Sequence, residues 1–124
     1  MKKVMIIEDD EAILDALSII FTRAGYETSG FINGNFLLEG EFDIPDLFVI
    51  DKLLLGVDGL DICKYLKGLP ATQHLPIIIL SATPYLQEQV KRAGADGYLE
   101  KPFSNNNLLQ LAEDLLNGTN RPLH

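Results

Sequence analysis

Short apolar segments alternate along the chain with longer segments whose apolar positions have helical spacing. Five of the short segments predict buried strands, because apolar runs of this length bounded by polar or turn residues are typical of a parallel sheet. These segments are residues 3–8, 26–30, 47–51, 77–80 and 95–99. The second is the most polar, so we expect the least buried strand there.

The intervening segments predict helices. In residues 10–24, Ile13, Leu17 and Ile20 recur on one face, and Gly25 follows where a left-handed helix stop is expected. Residues 58–67 and 104–116 show the same spacing, with Asp58 and Ser104 placed to cap them.

Two further helices are predicted with less regular features. Residues 35–41 are brief and contain Gly40, so we expect only a short or irregular helix. Thr83 followed by Pro84 predicts a helix start, because a hydroxyl can cap a helix and proline fits its first turn. That helix should end near residue 94.

This alternation of strand and helix defines the fold class. Five strands joined by helices imply an α/β domain with a parallel sheet covered on both faces, wound by right-handed crossovers. The length of 124 residues fits one domain. We assign residues 1–120 to it and expect residues 121–124 to form a frayed tail.

Composition narrows the possible functions. The hydrophobic share of 47% and charged share of 23% are typical of a soluble globular protein, and no apolar run approaches the roughly 18 residues of a membrane span. A net charge of −8 argues against direct nucleic-acid binding. Cys63 is the only cysteine, so no internal disulfide can form, which fits a reducing, cytoplasmic location.

Reactive side chains follow four of the predicted strands. Glu8 and Asp9 follow the first, Asp51 ends the third, Ser81 follows the fourth and Lys101 lies just after the fifth. Because functional groups in an open parallel sheet gather at the carboxyl ends of the strands, we expect these side chains to share one site.

The three acids predict a metal ion. Glu8, Asp9 and Asp51 would repel one another, and a divalent cation would remove that cost. Oxygen ligands without histidine or cysteine favour Mg²⁺. Asp10 is interpreted instead as a helix cap.

Asp51 has the features of a nucleophile toward phosphorus. A carboxylate can form an aspartyl phosphate, and the reaction needs nearby cations and hydrogen-bond donors. Lys101 can supply a cation and Ser81 a hydroxyl. Pro102 biases Lys101 toward extended backbone.

With these residues in place, the chain resembles the receiver domain of two-component response regulators over nearly its whole length. The segments that carry the resemblance are Ile-Ile-Glu-Asp-Asp-Glu at 6–11, Val-Ile-Asp at 49–51, Val-Asp-Gly-Leu at 57–60, Ile-Leu-Ser-Ala at 79–82 and Gly-Ala-Asp-Gly-Tyr-Leu-Glu-Lys-Pro-Phe at 94–103. Each segment alone is weak evidence, whereas all five in this order are strong evidence.

The resemblance implies a flavodoxin-like, doubly wound sheet of strand order 2-1-3-4-5 and a phosphorelay signalling function rather than an enzyme. Asp51 would accept a phosphoryl group from the phosphohistidine of a sensor histidine kinase or phosphotransfer protein. Glu8 and Asp9 would bind Mg²⁺ together with Asp51 and the backbone carbonyl of Leu53. Lys101 would be the counter-ion of the phosphoryl group.

The resemblance also implies a conformational switch. Ser81 would be the hydroxyl that moves to the phosphoryl group. Tyr98 would be the switch aromatic, exposed before phosphorylation and turned inward afterwards. The fourth helix, fifth strand and fifth helix would then change their surface to control a downstream output protein or effector domain.

The chain departs from the family at several positions. Lys52 stands where an apolar residue is usual, and Leu55 where proline is usual. Strand alternation predicts that Lys52 points away from the acidic site, whereas Leu55 should leave its loop looser. The segment 104–118 carries no lysine or arginine, so we expect a monomer or a weak phosphorylation-dependent dimer.

Three other functions were compared with this interpretation. A haloacid-dehalogenase-like phosphatase needs a second aspartate at the position of Leu53, and a flavodoxin needs a hydroxyl- and glycine-rich phosphate loop where the acidic residues 8–11 stand. Both are rejected. A receiver-like interaction module that is not phosphorylated stays open because of Lys52 and Leu55.

Overall fold

The computed structural model describes residues 1–38, 42–54 and 56–118. Its main sheet has five parallel strands in the order β2-β1-β3-β4-β5, which confirms the predicted fold class and strand order. The strands are β1 (Lys3–Ile7), β2 (Glu27–Phe31), β3 (Leu47–Asp51), β4 (Ile77–Ser81) and β5 (Gly97–Glu100). The helices that the described residues form are α1 (Glu11–Arg23), α2 (Asn35–Leu38), α3 (Gly59–Lys67), α4 (Gln87–Arg92) and α5 (Asn105–Leu116).

The sheet divides the hydrophobic core into two layers, because successive strand side chains point to opposite faces. Val4 and Ile6 of β1 join one cluster, which α1 and α5 cover, while Met5 and Ile7 join the other, which α2, α3 and α4 cover. All five residues of β3 are buried. Cys63 of α3 is buried in the second cluster.

The predicted helix ends are largely confirmed. Asp10 caps α1 by accepting hydrogen bonds from the N–H groups of Ala12 and Ile13, so it is a cap, as interpreted from the sequence. Gly25 has the expected positive φ of 96° after the helix. Ser104 caps α5 through the N–H of Asn107.

The predicted start of α4 at Thr83 and Pro84 is wrong. The helix begins at Gln87, and no side chain caps it. Tyr85 has a φ of 61°, which interrupts any helical path from Thr83. The hydroxyl of Tyr98 instead donates to the Thr83 carbonyl oxygen.

Several predicted boundaries move by one or two residues. Strand β2 begins and ends one residue later than predicted, and β5 begins at Gly97 and extends through Glu100. Of the predicted helix 35–41, residues Asn35–Leu38 are helical. The rest of that helix, the predicted tail 121–124 with the domain end at residue 120, and the proposed effect of Leu55 lie outside the described residues.

A small hairpin follows β3 and was not predicted. Leu53 and Leu54 pair in antiparallel fashion with Val57 and Asp58. These two short strands form a sheet of their own, separate from the main sheet. The hairpin leads directly into α3, whose first turn is capped by the Asp58 side chain through the N–H of Leu60.

At Gly59 the start of α3 lies close against the end of β3. Its N–H donates to the Lys52 carbonyl oxygen at 2.7 Å. A Cβ atom at this position would overlap the backbone carbonyl oxygen of Asp51. Glycine is therefore required here by space, and the constraint fixes the backbone immediately around Asp51.

We predict that Gly59→Ala destabilises the domain by about 1–3 kcal/mol, because relief of the overlap must shift backbone rather than a flexible side chain. Chemical denaturation followed by circular dichroism would measure the change. Gly68→Ala is the matched control at the other end of α3, since a Cβ there meets its nearest atom at 3.4 Å and φ is −87°. Equal stability of the two variants would contradict the steric argument.

Candidate functional site

The carboxyl ends of β1, β3, β4 and β5 lie side by side. Ile7 pairs with Ile50, Asp51 pairs with Leu80, and Ser81 pairs with Glu100. This register places the residues that end or follow these strands at one edge of the sheet, as the sequence predicted.

Asp51 and Lys101 form the central contact of the site. The Lys101 Nζ atom lies 2.7 Å from Asp51 Oδ1, and Asp51 is only 6% exposed. Burial lowers the pKa of Lys101, but the hydrogen bond that Lys101 donates to Asp51 and the charges of Asp51 and Glu8 outweigh it, so the net pKa is raised. Lys101 is therefore a fixed positive charge beside the Asp51 carboxylate.

The second oxygen of Asp51 is also bound. Asp51 Oδ2 accepts a hydrogen bond from the Leu53 backbone N–H at 3.1 Å. The predicted residue Leu53 is thereby brought to the site through its backbone, while its side chain is exposed. Both carboxylate oxygens are thus held in fixed directions, one by a cation and one by an amide.

Glu8 is a buried carboxylate whose negative charge is only partly offset by its hydrogen bond and by Lys101. Its side chain is 2% exposed, and Oε2 accepts from the Asp10 N–H at 3.2 Å. Oε1 has no hydrogen-bond partner among the described residues and lies 3.6 Å from Lys101 Nζ. Burial, followed by repulsion from Asp51, raises the pKa of Glu8 to about 7 despite the Asp10 hydrogen bond.

Glu8, Asp9 and Asp51 form a candidate metal centre. Each offers a carboxylate oxygen, and these three oxygens all lie within 4.8 Å of one another. The set fits a hard divalent cation, because every donor is oxygen and Glu8 Oε1 is a buried acceptor that no described donor satisfies. The three predicted metal acids are therefore together.

Ser81 connects the site to Tyr98 through Thr83. The Ser81 hydroxyl is buried, and its oxygen accepts a hydrogen bond from the Thr83 N–H at 3.0 Å. The half-buried Tyr98 donates from its hydroxyl to the Thr83 carbonyl oxygen at 3.1 Å. Burial, with a smaller effect of Glu100, raises the pKa of the Tyr98 hydroxyl, which therefore stays a donor.

Lys52 is bound outside the acidic cluster. Its Nζ atom lies 3.0 Å from Asp58 Oδ2. This contact agrees with the prediction that Lys52 points away from the Asp51 carboxylate. Sequence reasoning missed the partner: Asp58 was interpreted only as a helix cap, and no local spacing rule links it to Lys52.

The site also depends on two features that the sequence showed only weakly. The hairpin, with Gly56 at a φ of 79°, presents the Leu53 N–H to Asp51. Gly59 allows α3 to approach the Asp51 backbone. A turn glycine between the pair Leu53-Leu54 and Val57 was the available signal for the hairpin.

Comparison with known proteins agrees with this geometry. The family model of the response regulator receiver domain matches residues 4–113 of this chain. The DNA-binding dual master transcriptional regulator RpaA of Synechocystis is 34% identical over 98% of this chain and 52% of its own length. The phosphate regulon transcriptional regulatory protein PhoB of Rhizobium meliloti is 34% identical over 94% of this chain and 52% of its own length. The chain spans about half the length of these relatives.

A solved structure shows the same fold. The signal receiver domain of a signal transduction histidine kinase from Syntrophus aciditrophicus superposes with a TM-score of 0.86 at 29% identity, covering 98% of this chain and 95% of that one.

In the part of the chain that the structure describes, no helix has the length and apolar character needed to cross a membrane.

With a chelator present, we predict that Glu8→Gln stabilises the domain at pH 8, on the order of 1–3 kcal/mol. The folded-state pKa of Glu8 lies above its ordinary value. Between about pH 4.5 and pH 7 the folded state therefore holds more protons than the unfolded state. Stability from this group is therefore present at low pH and lost as the pH rises through 7. Glutamine has no proton to lose, so its advantage should grow from pH 5 to pH 8.

Urea denaturation at the two pH values would measure this difference. Glu27→Gln is the control, because Glu27 is an exposed carboxylate on the edge strand β2. An advantage of Glu8→Gln that is the same at both pH values would contradict the assignment of a buried, partly uncompensated charge.

Proposed function

The chain belongs to the response regulator receiver domain family, and from that membership we propose that Asp51 is the phosphoacceptor of a phosphorelay switch. The observation that carries the proposal is the contact of 2.7 Å between Lys101 Nζ and Asp51 Oδ1 within the acidic cluster. A lone buried aspartate with a lysine would be an ordinary ion pair. The two additional acids make it a site for a cation and a phosphoryl group.

The proposed reaction is a phosphoryl transfer to a carboxylate. An Asp51 oxygen forms a bond to the phosphorus of a phosphohistidine, and the bond from phosphorus to the imidazole nitrogen breaks. The imidazole nitrogen keeps the electron pair. Lys101 is positioned to neutralise the phosphoryl oxygens, and the Leu53 N–H fixes the direction of the carboxylate.

Receiver domains generally bind Mg²⁺, and we propose that Glu8, Asp9, Asp51 and the Leu53 carbonyl hold it here. When bound, Mg²⁺ supplies positive charge that offsets the carboxylates and the phosphoryl oxygens. Glu8 contributes the oxygen that lacks a hydrogen-bond donor among the described residues. To hold the metal these carboxylates would have to be ionised, so Glu8 would have to be deprotonated.

The proposed switch runs from Asp51 to the surface. The Ser81 hydroxyl would turn toward a phosphoryl group on Asp51. It would then give up the hydrogen bond that it now accepts from the Thr83 N–H. Tyr98 is bound to the Thr83 carbonyl oxygen, so its ring would respond to that movement. The surface of α4, β5 and α5 would then present a different shape to a partner.

The proposed partners are a sensor histidine kinase or phosphotransfer protein on one side and an output protein or effector domain on the other. The names of RpaA and PhoB describe transcriptional regulators, which makes a transcriptional output one form of this proposal. The net charge of −8 supports no direct nucleic-acid contact by this domain. We propose residues 1–120 as the receiver domain, working in the cytoplasm as a monomer or weak phosphorylation-dependent dimer.

The chain is a signalling module, and its self-catalysed dephosphorylation belongs to the proposal. The alternative, an interaction module that is not phosphorylated, rests partly on Lys52, which would compete with a metal if it bent toward the acids. Lys52 is bound to Asp58, and Asp51 is bound to Lys101. This arrangement favours the phosphorylated switch.

We predict that the parent protein gains the mass of one phosphoryl group on incubation with Mg²⁺ and acetyl phosphate, whereas Asp51→Asn gains none. The reason is that the amide oxygen of asparagine is a poor nucleophile toward phosphorus. Intact-mass spectrometry at neutral pH would detect the labile adduct. Addition of a chelator before the donor should abolish it.

Asp46→Asn is the matched control, because Asp46 is an aspartate just before β3, on the opposite edge of the sheet, where it accepts from the Lys3 N–H. This variant should be phosphorylated like the parent. If the parent remains unmodified with both acetyl phosphate and a phosphorylated kinase, and circular dichroism shows it folded, the interaction module becomes the better interpretation.

A further inference from the structure

The ion pair of Lys52 and Asp58 occupies an unusual place, at the open end of the hairpin that follows Asp51. Lys52 Nζ lies 3.0 Å from Asp58 Oδ2, and the side chains are 21% and 40% exposed. Asp58 is the direct cross-strand partner of Leu53. Lys52, which follows the proposed acceptor, is therefore linked to Asp58, which pairs with the proposed carbonyl ligand Leu53.

The hairpin itself is short. It contains two residues on each strand, and such a hairpin is marginal when isolated because few hydrogen bonds join it. It is separate from the main sheet, and of its four paired residues Leu54 is the one buried in the core. Leu54 anchors one strand, while the position of the Leu53 backbone relative to Asp51 also depends on the contacts at the open end.

Those contacts converge on Lys52 and Asp58. The Lys52 N–H donates to the Leu80 carbonyl oxygen at 2.8 Å, and the Lys52 carbonyl oxygen accepts from the Gly59 N–H at 2.7 Å. Asp58 uses Oδ1 to accept from the Leu60 N–H and Oδ2 to bind Lys52. The Asp58 carboxylate thus binds both the start of α3 and Lys52, which lies at the start of the hairpin.

We propose that the Lys52–Asp58 ion pair is a positioning device for the metal and phosphoryl site. By closing the hairpin, it holds the Leu53 backbone against Asp51, where the Leu53 N–H bonds Oδ2. The inference rests on the proposed function, since it takes Leu53 and Asp51 as metal ligands. Groups that orient metal ligands typically change metal affinity about 10- to 100-fold when removed.

A positioning role and a direct electrostatic role of the ion pair predict different results when Lys52 and Asp58 are changed. If the lysine charge acted on the metal directly through space, Lys52→Met would tighten Mg²⁺ binding and Asp58→Asn would weaken it. If the pair acts by positioning, both variants weaken binding, because each releases the same end of the hairpin. Asparagine still accepts from the Leu60 N–H, so Asp58→Asn keeps the cap of α3.

The experiment is a Mg²⁺ titration of the folded protein by isothermal titration calorimetry, with the Leu53 amide resonance followed by NMR. We expect Lys52→Met and Asp58→Asn each to raise the dissociation constant about 10-fold. The double variant should show the same rise of about 10-fold, because both changes remove one interaction. Lys52→Arg should restore binding close to that of the parent.

Lys67→Met is a closely matched control. Lys67 bonds Asp96 at 2.8 Å with side-chain exposures of 18% and 39%, nearly those of the Lys52 pair. Asp96 also accepts from the Ile77 N–H, so this pair lies at the amino end of β4, away from the acidic site. Lys67→Met should leave Mg²⁺ affinity unchanged even where it lowers the melting temperature.

Several outcomes would overturn the inference while leaving the proposed function intact. These are parent-like affinity in Lys52→Met, tighter binding in Lys52→Met, an additive loss of about 100-fold in the double variant, or an equal loss in Lys67→Met. Failure of the parent itself to bind Mg²⁺ would contradict the metal site of the proposed function, and the inference would fall with it. The parent titration therefore separates the two failures.

Discussion

Repulsion among the carboxylates of Glu8, Asp9 and Asp51 is the constraint on which the organisation of this sheet edge depends. The fold forces them together, because β1 and β3 are neighbours and each is followed by or ends in acid. Lys101 relieves part of the repulsion through Asp51, but Glu8 Oε1 gains only a distant contact with it. The three carboxylates outnumber the one lysine that contacts them, so this edge of the sheet carries an excess of negative charge.

The sheet and most of the candidate site were predictable for the same physical reason. A buried parallel strand must be almost wholly apolar, so a charged residue at its end, such as Asp51 or Lys101, is conspicuous in the sequence. The strand order then decides which ends are neighbours. The resemblance to receiver domains implied that order, and the structure has it.

The features that the sequence did not reveal depend on contacts that rules of helix capping and strand alternation do not give. The start of α4 was wrongly predicted because capping rules are local, whereas the backbone of Thr83 is bound by Ser81 and by Tyr98. The partner of Lys52 was missed for a related reason. Strand alternation gives the direction of a side chain, but the hairpin that brings Asp58 within reach has no strong periodic signal.

Backbone hydrogen bonds connect Thr83 both to Ser81 and to Tyr98. Its N–H faces the hydroxyl beside the acidic cluster, and its carbonyl oxygen faces a tyrosine on the fifth strand. Because Pro84 follows, the backbone torsions of Thr83 have a narrow range, so the residue turns nearly as a rigid piece. In the proposed switch, a movement of the Ser81 hydroxyl would therefore reach the Tyr98 hydroxyl through the backbone of Thr83.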